Sequence, residues 1–261
     1  MERDEGRGRV AMVTGGASGI GFATAGVLIR RGWRVVVSDI DAQANRDAAR
    51  SIGAEAVPFD VVDEVATEHA LTDIEARLGP VEALFANAGI IQSGGRPEEL
   101  SLKDFDRVIA VDLRGVYVSC VAAGTCMTKR RRGGIVITGS VTASRTAPLH
   151  AYAPTKAAVV HMASCLAAAW GRSGVRVNAV SPGYVATPAL NEVIRRGQRD
   201  PKLLMEASAL GRMVDPEEIG RGVAFLLSDD AAAITGINLP IDAGWLAGAH
   251  LTTYGGVPAA L

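Results

Sequence analysis

From Val10 to the last third of the chain, one pattern repeats without a break. An apolar run of strand length is followed by an amphipathic stretch of helix length. Val10–Thr14, Val35–Ser38, Ala56–Phe59, Ala83–Ala86, Ile135–Thr138, Val175–Val180 and Ile237–Ile241 read as short buried strands. Between them Ile20–Arg31, Ala42–Ser51, Glu64–Leu78, Phe105–Lys129, Ala153–Arg172 and Pro216–Leu227 carry helical periodicity, the last opened by Asp215 as N-cap and Pro216 in the first turn. Such alternation demands an α/β fold: a doubly wound parallel sheet of about seven strands, flanked by helices and joined by right-handed crossovers. Aromatic residues are only 5% against 48% apolar, so the core is built from Val, Ile, Leu and Ala, which suits a sheet buried on both faces. No repeat, low-complexity tract or linker divides the 261 residues, which predicts a single domain over 1–261.

The charge balance narrows the function. With 27 Lys+Arg against 28 Asp+Glu, a net charge of −1 provides no field to hold a polyanion, and nucleic acid is not an expected partner. The basic run from Lys129 to Arg132 ends a helix and complements its C-terminus. Cys120, Cys126 and Cys165 form no C-x-x-C pair and read as buried thiols in a reducing cytoplasm. Met1 to Arg9 lacks the apolar stretch of a signal peptide, and Ala157 to Trp170 is too short and polar to span a bilayer. The expectation is a cytoplasmic protein with no membrane partner and no metal site.

The first strand runs into Thr14-Gly15-Gly16-Ala17-Ser18-Gly19-Ile20-Gly21 and then a helix. Glycines there let the backbone turn sharply and approach a pyrophosphate, and the helix N-terminus offers free N–H groups. The position between strand and helix is the context such a turn requires, although the spacing is G-x-x-x-G-x-G rather than G-x-G-x-x-G. Eighteen residues after Gly21, Asp39 ends the second strand, placed to accept a hydrogen bond from a ribose 2′-OH and to repel a 2′-phosphate. No Lys or Arg occupies positions 37–42, so NAD is the expected cofactor rather than NADP. Asp39 could instead cap the following helix, a task open equally to Asp41.

A second constellation begins where Ile135–Thr138 runs into Gly139-Ser140, twelve residues before Tyr152-Ala-Pro-Thr-Lys156. Residues i and i+4 share a helix face, so Tyr152 and Lys156 are neighbours. A phenol of pKa about 10 transfers protons poorly at neutral pH, and an adjacent cation favours its ionised form. Ser140, at a strand's carboxyl end, can hydrogen-bond a substrate oxygen.

Together these motifs resemble the short-chain dehydrogenase/reductase family, with its Rossmann-like fold, along almost the whole chain. The matches are T-G-x-x-x-G-I-G at Thr14–Gly21, Asn87-Ala88-Gly89, Ser140, Tyr152 with Lys156, and Pro182-Gly183 followed by Thr187-Pro188. The resemblance implies hydride transfer between nicotinamide C4 and the carbinol or carbonyl carbon of a secondary alcohol, polyol or ketone. In it Tyr152 is the acid/base, Ser140 holds the substrate oxygen, and Lys156 binds the ribose and lowers the tyrosine pKa. It also implies cofactor contacts from Gly15, Ser18, Gly19, Ile20, Gly21, Asp39, Asn87, Ala88, Gly89, Pro182 and Gly183. Asp60 and Val61 would meet the adenine, and Val185 and Thr187 the nicotinamide carboxamide. The alternatives are a β-ketoacyl reductase-like enzyme of fatty-acid metabolism, against which Asp39 speaks, and a non-catalytic NAD-binding scaffold.

One position departs from the family. Its usual N-[LV]-x-G reads Asp112-Leu113-Arg114-Gly115, where the family's Asn holds a helix kink and a water that connects the lysine to solvent. Asp112 is compatible with three readings: an isostere in the proton relay, a charge opposing phenol ionisation, or a protonated carboxyl. Substrate recognition is expected in loops 93–96, 141–150 and 184–210, where Arg145 and His150 are candidate contacts with equally good structural readings, and Arg195, Arg196 and Arg199 read as a solvated face. Val108, Val111, Gly115, Val118 and Ala122 form one small apolar stripe, and Ala157, Ala158, His161, Cys165 and Ala168 a second. With the uncharged tail 244–261, these stripes and the family geometry predict a homotetramer.

Overall fold

The computed structural model describes residues 6–258. Residues 1–5 and 259–261, which belong to the amino-terminal and tail segments discussed above, lie outside the described residues. Seven strands form one parallel sheet: β1 (Val10–Thr14), β2 (Arg34–Ser38), β3 (Glu55–Ala56), β4 (Val81–Ala86), β5 (Gly133–Thr138), β6 (Val175–Pro182) and β7 (Asn238–Ile241). Their order is β3-β2-β1-β4-β5-β6-β7. The order reverses between β1 and β4, and a doubly wound sheet opens its crevice at the carboxyl ends of that pair. The α-helices among the described residues are α1 (Gly19–Arg30), α2 (Ala42–Ile52), α3 (Glu64–Leu78), α4 (Leu102–Ile109), α5 (Val116–Arg130), α6 (Tyr152–Trp170), α7 (Pro188–Arg195), α8 (Pro201–Glu206), α9 (Pro216–Leu227) and α10 (Trp245–Gly248).

Strand residues alternate between two cores. Val10 and Met12 join Leu84, Ile135, Ile137 and Val177 beneath α3, α5 and α6. Ala11 and Val13 join Val35, Val37, Phe85 and Val136 beneath α1 and α9. Neighbouring side chains point to opposite faces of a strand, so continuous apolar runs supply both cores at once. Short polar side chains start the helices: the Asp41 carboxylate accepts from the N–H groups of Gln43 and Ala44, and Asp215 forms a capping box with Glu218.

Four expectations are corrected. The third strand was expected over Ala56–Phe59 but pairs with β2 only at Glu55 and Ala56. Pro58 has no N–H to donate, so the ladder cannot extend through it. Helix Ala153–Arg172 starts one residue earlier, at Tyr152, and gives way at Gly171 to a short 3-10 turn. Helix Phe105–Lys129 runs instead from Leu102 to Arg130 and is interrupted by a π-helical turn at Ala110–Gly115. That run, rather than 157–170, has the length and composition of a bilayer span, yet half of its apolar window is buried within this chain. Finally, Val108, Gly115 and Val118 from the first stripe are buried in the chain's own interior, leaving them no surface for a partner. Ala157, His161, Cys165 and Ala168 of the second stripe are exposed.

The basic run at the end of α5 makes local contacts. Arg130 pairs with Glu75 at 2.8 Å, Arg132 with Glu82 at 2.6 Å, and Arg131 donates to the carbonyl of Arg172. All three cysteines are free, but the expectation that they are buried holds only for Cys120, whose thiol burial pushes up to about 12; Cys126 is half-buried, and Cys165 is exposed because it shares the outward face of α6 with His161 and Ala168.

Candidate active site

The crevice at the sheet's switch point brings the sequence motifs together. Gly15 (φ +64°) and Gly19 (φ +55°) take the left-handed conformation that the turn requires. Gly21 is needed for space, because a Cβ there would stand 2.1 Å from the Gly15 carbonyl oxygen. Ser18 opens α1 in extended conformation without any side-chain cap, so the first N–H groups of the helix face the crevice unsatisfied by a side chain. Thr187 stands across from Gly19, with its Cγ2 3.5 Å from where a Cβ would be.

Asn87 fastens the turn to the middle of the sheet. Its Nδ2 donates to the carbonyls of Thr14 (3.2 Å) and Gly15 (3.1 Å), and its Oδ1 accepts from the Thr138 hydroxyl at 3.2 Å. The buried Thr14 hydroxyl accepts from the N–H groups of Asn87 and Ala88. Asn87 is thus a structural stitch between β1, β4 and β5, and Ala88 lies against Gly15.

The alternative for Asp39 is resolved by Asp41, which caps α2 itself. The Asp39 carboxylate turns to the glycine turn, where Oδ2 accepts from the Ala17 N–H at 3.2 Å. Asp60 closes a local turn by accepting from the Val62 N–H, and Val61 is buried against Gly115. Gly183 passes so close to Asp242 that a Cβ would lie 2.8 Å from its Cα, which fixes Pro182-Gly183 beside the end of β7. Val185 is buried and bridges to Val214, closing the base of the 184–210 excursion. Within that excursion Arg195 and Arg196 pair with Glu192, as a solvated helix face would.

Tyr152 and Lys156 lie one turn apart at the start of α6, with the ammonium 5.3 Å from the phenol ring centroid. Lys156 is 2% exposed, donates to the Thr138 carbonyl at 3.1 Å, and has the Asp112 Oδ2 3.1 Å away. The π turn carries Asp112 inward to zero exposure, where Oδ1 accepts from the Ile90 N–H at 2.8 Å. Oδ2 meets the lysine as an ion pair without forming a well-aligned hydrogen bond. Burial raises the Asp112 pKa, a shift that the Lys156 charge and the Ile90 N–H oppose. Gly89 makes room for the pair, since a Cβ would stand 2.9 Å from Asp112 Oδ2.

Ser140 is buried at the end of β5, and its Oγ accepts from both the N–H (3.1 Å) and the hydroxyl (3.0 Å) of Thr142. With both lone pairs engaged, its own proton is left to donate. Thr138, Thr142 and Gln92 were not anticipated as site residues, and Thr14 only as the first letter of the glycine motif, because single polar residues in loops and strand ends carry no periodic signal. His150 does not stand free for a substrate: its Nε2 lies 3.2 Å from the Gly95 carbonyl, tying two loops together. Among the described residues, no group of three His, Cys, Asp or Glu is placed to hold a metal.

A family model described as enoyl-(acyl carrier protein) reductase matches residues 15–246. The D-threitol dehydrogenase of Mycolicibacterium smegmatis is 35% identical, covering 91% of this chain and 93% of that protein. The galactitol 2-dehydrogenase of Rhizobium johnstonii is 37% identical, covering 91% and 95%. Among solved structures, a Brucella melitensis chain described as ribose-5-phosphate isomerase is 43% identical with TM-score 0.94, covering 97% of this chain and 98% of that one.

Proposed function

This chain belongs to the short-chain dehydrogenase/reductase family, and we propose that it is an NAD-dependent dehydrogenase of a secondary alcohol or polyol, or of the corresponding ketone, with Tyr152 as the acid/base. The observation that carries this reading is the Tyr152–Lys156 pair at the start of α6, a helix packed against the turn that Ser140 opens with its own proton left to donate. The two polyol dehydrogenases among its relatives support the substrate class.

The residues of the crevice suit a dinucleotide. The uncapped N-terminus of α1 offers N–H donors to a pyrophosphate, and the tight Gly15–Gly21 approach leaves the backbone bare there. Asp39, carrying negative charge beside the turn, suits a ribose 2′-hydroxyl and opposes a 2′-phosphate. Ser18, Ile20, Asp60, Val61, Asn87, Ala88, Gly89, Pro182, Gly183, Val185 and Thr187 complete the assigned cofactor contacts. The nicotinamide, when bound, supplies the hydride acceptor for oxidation and the donor for reduction.

The chain's own residues manage the proton and the oxygen. Ser140 donates to the substrate oxygen and steadies the charge that develops on it. Tyr152 Oη takes the hydroxyl proton during oxidation and returns it during reduction. Lys156 stabilises the phenolate, and Asp112 anchors the ammonium where it can do so. The free thiols suit a reducing cytoplasm. The exposed small residues of α6 suit close helix packing in a homotetramer.

A panel of alcohols, polyols and ketones, followed by nicotinamide absorbance with NAD and NADP in parallel, tests the activity. Tyr152→Phe removes only the hydroxyl, so NAD binding survives while turnover falls by about 10²–10⁴. Near wild-type turnover in this variant refutes the mechanism. An aldose–ketose isomerase moves a proton between adjacent carbons without net change in the nicotinamide. Sugar-phosphate interconversion with no absorbance change on any alcohol would therefore favour an isomerase activity over this proposal.

A further inference from the structure

Helix α6 begins at Tyr152 without a local cap, because Ala151 occupies the N-cap position and has no side-chain acceptor. The acceptor comes instead from the loop after β4. Gln92 Oε1 receives the N–H of Ala151 at 2.7 Å and that of Tyr152 at 3.0 Å. Two further ties hold the same loops together: the Gly95 N–H donates to the Pro148 carbonyl, and His150 contacts the Gly95 carbonyl. At the start of this loop the Ile90 N–H is held by Asp112. The segment from residue 90 to 95 therefore spans from the buried lysine–aspartate pair to the backbone of the tyrosine.

These contacts decide the orientation of the Gln92 amide. Only its oxygen can accept two backbone N–H groups, so the NH₂ group must take the other position. Nε2 has no hydrogen-bond partner among the described residues. Gln92 is half-buried and lines a cavity of about 370 Å³, shared with Ile90, Ser93, Asp104 and Arg107. A donor of fixed orientation thus belongs to the amide whose oxygen stands 3.0 Å from the Tyr152 nitrogen, with its two hydrogens unspent.

We propose that Gln92 is a positioning and specificity-determining residue, whose Oε1 sets the first turn of the tyrosine helix and whose Nε2 donates to a second oxygen of the substrate, beyond the reacting carbinol. The substrate class is accordingly a diol, polyol or hydroxyketone rather than a simple secondary alcohol. This inference rests on the dehydrogenase reading above. It adds that the second oxygen is selected by a residue that also holds the acid/base in place, so that substrate choice and catalytic geometry share one side chain.

Two variants separate the two atoms. Gln92→Glu retains an acceptor for both N–H groups, reinforced by negative charge at a helix N-terminus, and loses the donor. Gln92→Leu loses both. Each is assayed with NAD on 2-butanol, acetoin and 3-methoxy-2-butanol, which share the butan-2-ol chain; the second oxygen of the last two accepts a hydrogen bond but has no proton to give a carboxylate. Any shift in Tyr152 ionisation caused by the new carboxylate affects all three substrates alike and cancels in their ratio.

In Gln92→Glu the kcat/KM ratio of the better two-oxygen substrate to 2-butanol should fall about fivefold, the value of one neutral hydrogen bond. Gln92→Leu should lose the same ratio and, in addition, kcat on every substrate, whereas Gln92→Glu should restore much of that kcat. A wild-type enzyme without preference for the two-oxygen substrates overturns the proposal, as does an unchanged ratio in Gln92→Glu. If the wild type binds NAD but oxidises none of the three, nor any alcohol of the wider panel, the dehydrogenase reading fails and this inference with it.

Discussion

Two glycines of α1, five residues apart, should respond oppositely to alanine. At Gly21 the new Cβ would lie 2.1 Å from the Gly15 carbonyl oxygen, 2.7 Å from Asn87 Nδ2 and 2.9 Å from the Gly15 carbonyl carbon. Ordinary contact begins at 3.4 Å, so the closest overlap is about 1.3 Å. The obstructing atoms cannot swing aside, because the Gly15 carbonyl is itself held by Asn87 at 3.1 Å. At Gly26 the nearest atom is Arg30 Nη1 at 3.4 Å, the end of a flexible side chain. Alanine gains up to about 1 kcal/mol over glycine within a helix at either site. At Gly26 that gain should appear almost whole. At Gly21 it is opposed by an overpacking cost of about 1–3 kcal/mol and by about 1 kcal/mol for each Asn87 hydrogen bond given up. With one or both of those bonds lost, the net expectation at Gly21 is a loss of about 1–4 kcal/mol, with a melting temperature several degrees lower at about 2–4 °C per kcal/mol. Gly26→Ala should melt slightly above wild type. Because the displaced atoms form the proposed pyrophosphate turn, NAD titration by calorimetry should weaken in Gly21→Ala and not in Gly26→Ala. Equal melting temperatures and equal NAD affinities for the two variants would refute both the steric argument and the role of the turn.

Asp39→Ala should reduce discrimination against NADP by removing a ribose acceptor and the repulsion of a 2′-phosphate, read as the ratio of kcat/KM for the two cofactors; a wild type that binds NADP more tightly and turns over faster with it would reverse the assignment. Asp112 carries a pH signature, because burial lifts its folded pKa above the ordinary 3.8. The folded state then holds more proton than the unfolded state above that value, and the stability contributed by Asp112 is lost as pH rises through its folded pKa. Asp112→Asn removes this titration, so urea unfolding should show the variant gaining on wild type as pH is raised from about 4, and a pH-independent difference would contradict it. Light scattering at micromolar concentration should give a tetramer mass, and a fully active monomer would refute the proposed assembly.

What could be read from the residues in order is what local periodicity records. Alternating apolar runs establish the parallel sheet, and its two cores follow from the pleat. Asp215 and Pro216 mark a helix start, and the spacing of Tyr152 and Lys156 places them on one face before any tertiary contact exists. The glycine spacing likewise announces a turn, since only backbone freedom and the absence of a side chain are required. The remaining features needed the folded chain because they join segments far apart in sequence. Asn87 reaches the first turn across 72 and 73 residues, and Gln92 caps α6 across 59 and 60. The π turn, an irregularity inside an otherwise regular apolar pattern, leaves no period to detect, yet it delivers Asp112 to the lysine. Whether Asp39 or Asp41 capped α2 was open while both lay within reach; tertiary structure decided it by bringing the Ala17 N–H to Asp39. Spacing along the chain sets which residues can share a face, but hydrogen-bond partners and burial are chosen only when distant faces close on each other.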